Sequence, residues 1–259
     1  TGPGLSGISS SPLMFPGDII CPTPTIGLWK FVGRISAVFE RESRCCIEWT
    51  GRKGIDVMTE KEKMLAGQLY DPGEETLCRE RQKAKGLCFE FNRLHPDDRA
   101  AQTDILKRLL GGIGERFHLE APFFCDYGRY IRVGENFYAN HNCVILDGGG
   151  VEIGDNVLFA PNVGVYRAGH PLDVERRNAG LEYAYPVKIG NNVWIGADVS
   201  ILPGVEIGDN TVVGAGSVVN RSLPGNVLAA GNPCRVIREI TDGDRETSLK
   251  WAERGVRHG

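Results

Sequence analysis

An aliphatic or aromatic residue returns at every sixth position over much of the second half of the chain. It is followed by a glycine or other small residue, then two turn-forming residues, then a valine or another small residue. The repeat positions are Ile153, Phe159, Ile189, Ile195, Ile201, Ile207 and Val213. This spacing fits a short strand with one side chain pointing inward, followed by a tight turn. Glycine, asparagine and aspartate suit such turns because they tolerate a positive φ.

Three such units close one triangular coil, and stacked coils form a mainly β fold, the parallel β-helix. The alternative is a β-sandwich, whose strands alternate with period two and whose turns fall about every eight to twelve residues. Repetition in one register favours the β-helix. Earlier hexapeptides, beginning at Val133, Ala139 and Ile145, are displaced by two residues, and the slip falls at residues 147–150.

The repeat is interrupted after Val165 and resumes in the same phase at Ile189. The interruption contains a His-Pro pair and a run of charged residues. An insertion that returns in register leaves the coil at a corner without disturbing the core, and loops carried on a rigid scaffold often hold functional residues. We therefore predict an excursion loop over residues 166–188.

The remaining chain divides into regions of different composition. We predict a poorly ordered leader or extension over residues 1–57, dispensable for folding, and a helical region over 58–114. The β-helix follows over 115–242, with a C-terminal tail over 243–259.

Periodicity places three helices in the helical region. The first begins at a capping box, with Thr59 as N-cap and Glu62 reaching back, and is predicted to run to about Tyr70. The second spans roughly 74–92 and the third begins near Asp97. Their predicted buried faces are Leu77, Ala84, Leu87, Cys88 and Phe91 in one, and Ile105, Leu106, Leu109 and Leu110 in the other.

Charge and cysteine usage exclude several classes of partner. The net charge of −3 provides no basic field for nucleic acid or an anionic membrane, and no apolar run approaches the roughly 18 residues that span a bilayer. The eight cysteines form no Cys-x-x-Cys pair, which argues against a metal site. Cys88 and Cys143 are predicted to be buried small hydrophobes. A soluble, cytoplasmic protein fits these features.

Five segments together resemble one enzyme family: MTEKEKMLAGQLYDP, CDYGRYIRVGENFYANHNCVILD, GHPLD, PVKIGNNVWIG and AAGNPCRVIREI. They are similar to the maltose/galactoside O-acetyltransferases, hexapeptide-repeat acyltransferases with a left-handed β-helix. The resemblance covers residues 58 to about 242. It implies acetyl-CoA as co-substrate, a sugar hydroxyl as acceptor with a maltose/glucose type favoured, and a homotrimer.

Transfer of an acetyl group from a thioester to a hydroxyl needs a base, and a neutral imidazole can take the proton as the oxygen attacks. His170 matches the family's catalytic histidine within GHP, and the following proline restricts its backbone to extended values. The alternative is a solvated loop histidine. His141, at a coil corner, is the second candidate.

The resemblance also implies residues that hold the acceptor. Asp126 and Asn140 would lie on early coils, facing the loop of a neighbouring subunit, although Asn140 also suits a corner and Asp126 could cap a turn. Glu182 matches a loop position that borders the sugar. Asp71 lies one position from a sugar-binding aspartate of the family.

The acceptor is the least determined part of this prediction. Galactoside-type members have two acids in tandem where this chain has Asp147 followed by Gly148, which weakens the galactoside interpretation. Serine or a xenobiotic is the alternative acceptor. A γ-type carbonic anhydrase would need three zinc-binding histidines, but only His141 and His170 fall within the repeats. A non-catalytic β-helix would not need both the His-Pro excursion and a C-terminal segment that resembles the family's coenzyme A-binding segment.

For acetyl-CoA, the family uses a backbone N–H as the oxyanion donor, a groove wall along the β-helix, and cationic residues for the phosphates. The corresponding donor is that of Ala197, and the wall residue is Ala215. Arginines exposed only to solvent are the alternative for the cationic positions. The residues assigned to acetyl-CoA on this basis are Ala197, Ala215, Asn220, Arg221, Arg235 and Arg238.

Overall fold

Helices precede a stack of short strands in the computed structural model, which describes residues 58–246. The predicted leader, residues 1–57, and most of the predicted tail, residues 247–259, lie outside the described residues. The helices are α1 Glu60–Leu65, α2 Glu75–Arg93, α3 Arg99–Leu109 and α4 Val174–Asn178, with a 3₁₀ turn at Asp242–Glu246.

The strands are two to five residues long. In chain order they are β1 Gly112–Ile113, β2 Phe117–Leu119, β3 Phe123–Cys125, β4 Ile131–Val133, β5 Phe137–Ala139, β6 Cys143–Leu146, β7 Val151–Ile153, β8 Leu158–Phe159, β9 Gly164–Tyr166, β10 Ala168–Gly169, β11 Tyr183–Ala184, β12 Val187–Ile189, β13 Trp194–Ile195, β14 Ser200–Ile201, β15 Glu206–Ile207, β16 Val212–Val213, β17 Val218–Val219, β18 Val227–Ala230 and β19 Arg235–Glu239.

Three parallel sheets form the faces of the stack. Face one contains β1, β4, β7, β12 and β15; face two contains β2, β5, β8, β13, β16 and β18; face three contains β3, β6, β9, β14 and β17. β19 adds an antiparallel edge to face two. Ile153 pairs with Val133 on one side and Ile189 on the other, so the repeat residues stack into one core. The predicted parallel β-helix is confirmed.

The coils depart from the six-residue spacing at a single corner, the one that joins face three to face one. The buried residues Cys125 and Val133 of successive strands are eight positions apart, as are Ile145 and Ile153. The slip at 147–150 is one of these additions. The excursion leaves from the same corner one coil later and occupies 167–186, slightly less than predicted, because Tyr166 and Val187 belong to strands.

We call this corner the excursion edge, and it consists of residues 126–130, 147–150 and 167–186.

The β-helix begins earlier than the predicted residue 115, because Ile113 already pairs with Val133.

The first helix begins as predicted and ends early. The Thr59 hydroxyl accepts from the Glu62 N–H at 3.2 Å, and the Glu62 carboxylate accepts from the Thr59 N–H at 2.7 Å. The predicted continuation to Tyr70 is wrong. Gly67 adopts φ +69°, which ends the helix. Tyr70 then forms an antiparallel bridge with Glu182 of the excursion, so the backbone of this segment pairs with the loop and is not helical.

The second and third helices cover the first coils. Their predicted apolar faces are buried in the same core as the repeat aliphatics, except that Leu77 is buried in a separate cluster with Tyr70. Asn92 of α2 fastens this layer to β3, since its amide accepts from the Phe123 N–H at 2.8 Å and donates to the Phe123 carbonyl at 3.0 Å. The third helix begins at Arg99, after the N-cap Asp98, slightly later than predicted.

A ladder of asparagines occupies the corner between faces one and two. Each adopts φ between +56° and +61°, and each amide nitrogen donates to the oxygen of the next at 2.7–3.0 Å. The ladder is formed by Asn136, Asn156, Asn192, Asn210 and Asn226. Turn geometry and side-chain hydrogen bonding therefore select the same residue at five successive levels of this corner.

Replacement of Asn192, in the middle of the ladder, should separate these two contributions. Asn192→Ala is expected to lower the free energy of unfolding by about 2–3 kcal/mol, because it combines backbone strain at positive φ with lost hydrogen bonds. Asn192→Gly removes only the hydrogen bonds and should cost roughly half as much. Thermal unfolding at one fixed protein concentration measures both. Equal losses in the two variants would contradict the backbone argument.

Candidate active site

The predicted base lies on the excursion edge. His170 follows β10, which pairs with β11 to form a short antiparallel hairpin at the base of the loop. Its side chain is 50% exposed, and its Nδ1 lies 3.0 Å from the Leu181 carbonyl oxygen. A carbonyl only accepts, so Nδ1 carries the hydrogen in this assignment. The lone pair of the neutral ring is then on Nε2, as a base requires.

Glu182 lies beside that nitrogen. Its Oε1 is 3.8 Å from His170 Nε2, and its Oε2 accepts a hydrogen bond from the Tyr70 hydroxyl at 2.7 Å. Two backbone hydrogen bonds of 3.0 Å also join Tyr70 and Glu182. Burial raises the pKa of Tyr70 above its ordinary value, and the Glu182 acceptor adds to this shift, so the phenol remains a donor.

Asp126 adds a second carboxylate to this edge. Burial raises its pKa to about 6, and the charges of Asp147 and Glu182 act in the same direction. Arg81 opposes the shift. Asp126 is therefore close enough to Asp147 and Glu182 for their negative charges to raise its pKa.

Asp147 is fully buried, and the backbone of the preceding coil engages its carboxylate. Oδ1 accepts from the Tyr127 N–H at 2.8 Å and Oδ2 from the Tyr130 N–H at 3.2 Å. Burial raises its pKa, while these donors act in the opposite direction. The geometry is that of a residue which shapes the corner, since the side chain has no exposed surface to offer an acceptor.

Asp71 is exposed and belongs to a local turn. Its Oδ1 accepts from the Gly73 N–H at 2.8 Å, and its own N–H donates to Glu60 at 2.6 Å. Its carboxylate therefore caps a turn in this chain. The predicted sugar contact of Asp71 stays a prediction.

Two arginines support the excursion edge and were not found by sequence analysis. Arg81 donates to the Tyr127 hydroxyl at 2.7 Å and also to the Pro72 carbonyl. Arg167 is fully buried and its Nε donates to the Tyr185 carbonyl, which joins the two ends of the excursion. Burial lowers the pKa of Arg167 to about 10. Neither contact has a local sequence signal, because each partner is distant along the chain.

Asn140, Ala197 and Ala215 lie at a different corner, which joins face two to face three. We call it the small-residue edge, consisting of residues 140–142, 160–162, 196–198 and 214–216. The Asn140 oxygen accepts from the His141 N–H at 2.7 Å, and the Ala197 carbonyl accepts from the Gly216 N–H at 2.8 Å. Within one chain, His170, Glu182, Asp126 and Asp147 thus lie at the excursion edge, whereas Asn140, Ala197 and Ala215 lie at the small-residue edge.

The remaining predicted coenzyme residues are exposed. Asn220 and Arg221 follow β17, while Arg235 and Arg238 lie on β19. Arg238 forms a bidentate ion pair with Asp244 at 2.6 and 2.8 Å. Any anion bound by Arg238 would compete with that carboxylate.

Residues 58–246 contain no cluster of three or more histidine, cysteine, aspartate or glutamate side chains that could hold a metal ion. The same residues contain no helix with the length and apolar character needed to cross a membrane.

Both the helical region and the β-helix match known protein families. Residues 63–114 match the maltose acetyltransferase hexapeptide capping motif, and residues 186–221 match the bacterial transferase hexapeptide family, as six repeats. Galactoside O-acetyltransferase of Escherichia coli (strain K12) is 48% identical over 189 residues, covering 73% of this chain and 93% of that protein.

Solved structures agree. A maltose O-acetyltransferase from Clostridium difficile 630 has a TM-score of 0.71 at 52% identity, covering 71% of this chain and 99% of that chain. A galactoside acetyltransferase in complex with coenzyme A also has a TM-score of 0.71, at 48% identity, covering 73% of this chain and 94% of that one. The chain therefore belongs to the galactoside/maltose O-acetyltransferase family and is an acetyl-CoA-dependent acetyltransferase.

Proposed function

We propose that the enzyme transfers the acetyl group of acetyl-CoA to a hydroxyl of a maltose- or glucose-type sugar by direct attack, with His170 as general base. The hydroxyl oxygen forms a bond to the thioester carbonyl carbon as Nε2 takes its proton. Collapse of the tetrahedral intermediate breaks the C–S bond. The imidazolium then returns the proton to the coenzyme A thiolate, and no acyl-enzyme forms.

The observation that carries this proposal is the hydrogen bond between His170 Nδ1 and the Leu181 carbonyl oxygen. It orients the ring and leaves Nε2 able to accept a proton. A solvated loop histidine would not need an internal backbone partner. The 50% exposure of the side chain leaves room for an acceptor.

The acceptor would meet carboxylates. Glu182 lies beside the base, Asp126 interacts electrostatically with Glu182, and ionised carboxylates accept hydrogen bonds from sugar hydroxyls. Asn140 can both donate and accept, which suits vicinal hydroxyls. Asp147 acts by shaping the corner in this proposal, and Asp71 remains a candidate contact. With Gly148 as the neighbour of Asp147, the site differs from the tandem acids of galactoside-type members.

A homotrimer would unite the two edges. The base lies on the excursion edge, whereas Asn140, Ala197 and Ala215 lie on the small-residue edge of the same chain. A closed ring of three subunits brings the excursion edge of one subunit against the small-residue edge of the next. In this arrangement the Ala197 N–H faces the developing oxyanion. Ala215 lines the pantetheine groove, and the exposed cationic residues, Arg221, Arg235 and Arg238, with Asn220, approach the phosphates.

The outward side chains support association through face two. On face one, the outward column alternates in charge: Arg132, Glu152, Lys188 and Glu206. On face two, the corresponding column contains Tyr138, Leu158, Trp194, Val212 and Leu228. Leu158 is 47% exposed and Trp194 is 52% exposed. An apolar stripe of this kind is typical of a protein interface.

His170→Ala should remove the base and spare the fold, because the side chain lies outside the core. Acetyl transfer should fall by about 10²- to 10⁴-fold. Acetyl-CoA affinity, measured by calorimetry, should change little. The rate of the unmodified enzyme should rise with pH across the range of about 5–8 in which histidine side chains ionise, because only the neutral ring accepts a proton. Near-full activity with the same pH profile in the variant would refute the assignment and make His141 the next residue to test.

Complementation tests the shared site. His170→Ala and Asn140→Ala should each be inactive, but co-refolded mixtures should regain roughly one active site in four, because a site across an interface can draw each intact residue from a different subunit. Transferase activity and light scattering of the same sample measure this result. A mixture as inactive as its components would show that both residues act within one subunit.

An acceptor panel tests the sugar. Release of the coenzyme A thiol should be faster with maltose and glucose than with galactosides at equal concentration, because the second acid of galactoside-type members is absent at Gly148. Serine and small xenobiotic alcohols complete the panel. Faster thiol release with either of these than with any sugar would overturn the sugar assignment.

A further inference from the structure

We propose that Tyr70 is a positioning residue that holds Glu182 back from His170, so that Nε2 stays free to accept the proton of the acceptor hydroxyl. The inference rests on the proposed function, because it concerns the same base. Tyr70 lies far from His170 in sequence, on the segment between α1 and α2, and meets the loop through hydrogen bonds to Glu182 and through packing with Ala184.

The restraint is specific to one carboxylate oxygen. The Tyr70 hydroxyl donates to Oε2 of Glu182 at 2.7 Å, while Oε1 remains 3.8 Å from His170 Nε2. A charge-assisted hydrogen bond between an imidazolium and a carboxylate would close to about 2.7–2.9 Å. Oε1 is thus near the ring but short of direct bonding.

The tyrosine is itself held in place. Its side chain is 1% exposed and packs with Met64, Leu77, Tyr127 and Ala184. Reciprocal backbone hydrogen bonds of 3.0 Å fix it against Glu182. The Tyr70 ring and the backbones of Tyr70 and Glu182 are therefore fixed. The Tyr70 hydroxyl stays in one place and holds Oε2 of Glu182 there. Loss of the hydroxyl would leave Glu182 free to rotate about its side-chain bonds.

A direct contact between Glu182 and His170 would harm catalysis. It would favour the charged form of the ring, in which Nε2 already carries a proton and has no lone pair left to accept the proton of the hydroxyl. At 3.8 Å the same carboxylate still attracts the positive charge that forms on the ring during attack. The observed separation therefore retains an electrostatic benefit and avoids blocking the base.

Other titratable groups also face this cluster. Asp126 and Tyr127, at the corner after β3, interact electrostatically with Glu182. His170 and Tyr70 belong to the same cluster, and Arg167 of the loop interacts electrostatically with Tyr70. When ionised, Asp126 repels the Glu182 carboxylate. This repulsion would favour movement of a released Glu182 towards the imidazolium.

The test is the pH profile of Tyr70→Phe, which removes one oxygen and keeps the buried ring. The acid limb of the rate should move to higher pH by about one unit, because the released carboxylate stabilises the protonated ring. The rate on that limb should therefore fall about tenfold and recover towards the unmodified value at high pH. The KM for acetyl-CoA should not change. A purely structural role would lower the rate at every pH without moving the limb.

Two further variants complete the experiment. Tyr130→Phe is the matched control, because its hydroxyl contacts Glu80 at 3.3 Å in the same layer and does not touch Glu182. It should leave the limb where it is. The double variant Tyr70→Phe with Glu182→Gln should return the limb to its original position or below it, because a neutral amide does not stabilise the imidazolium.

The outcomes separate this inference from the function on which it rests. If His170→Ala is inactive but the limb of Tyr70→Phe stays in place, or if Glu182→Gln fails to reverse its movement, the positioning role is wrong and the base assignment stands. If His170→Ala retains activity, the proposed function itself fails. Thermal unfolding of Tyr70→Phe is measured beside the kinetics. If that variant does not fold, Glu182→Gln alone takes its place, and the acid limb of its pH–rate profile should not move to higher pH.

Discussion

Parallel pairing of each coil with the next is the constraint on which the rest of this structure depends. Each coil directs side chains of every face into the core, such as Val193 and Ile195 of face two, and the neighbouring coil must do the same in register. A shift of one residue would turn every such side chain to the outside. The asparagine ladder helps to prevent this, because its side-chain hydrogen bonds join equivalent positions of successive corners.

That constraint explains where function can lie. Faces and core are committed to stacking, so variable chemistry is restricted to corners and outward side chains. Two corners carry the proposed site, one with the base and carboxylates and one with small residues and Asn140. The N-terminal layer contributes through Tyr70 and Arg81, which reach the excursion edge from outside the β-helix. The helical layer thus supports the site as well as covering the end of the core.

The fold was largely predictable from sequence because its signal repeats. Period six, the small residues of the corners and the in-phase return at Ile189 all follow from local rules. The site was predictable only in part. His170 and Glu182 lie in a recognisable loop, but their separation depends on Tyr70, which is 112 positions from Glu182. Arg167 is buried by tertiary packing, and the early end of α1 follows from the pairing of Tyr70 with the excursion. No periodic pattern reports such contacts.

The corner that holds the extra residues of three successive coils also has an evolutionary consequence. Two short additions and one long excursion leave the stack at the same place, while Val133, Ile153 and Ile189 remain aligned. Chain length at this corner is therefore uncoupled from the stability of the core. A lineage of such enzymes can lengthen, shorten or rewrite this corner to meet a new acceptor, while the opposite edge and the donor chemistry are inherited unchanged.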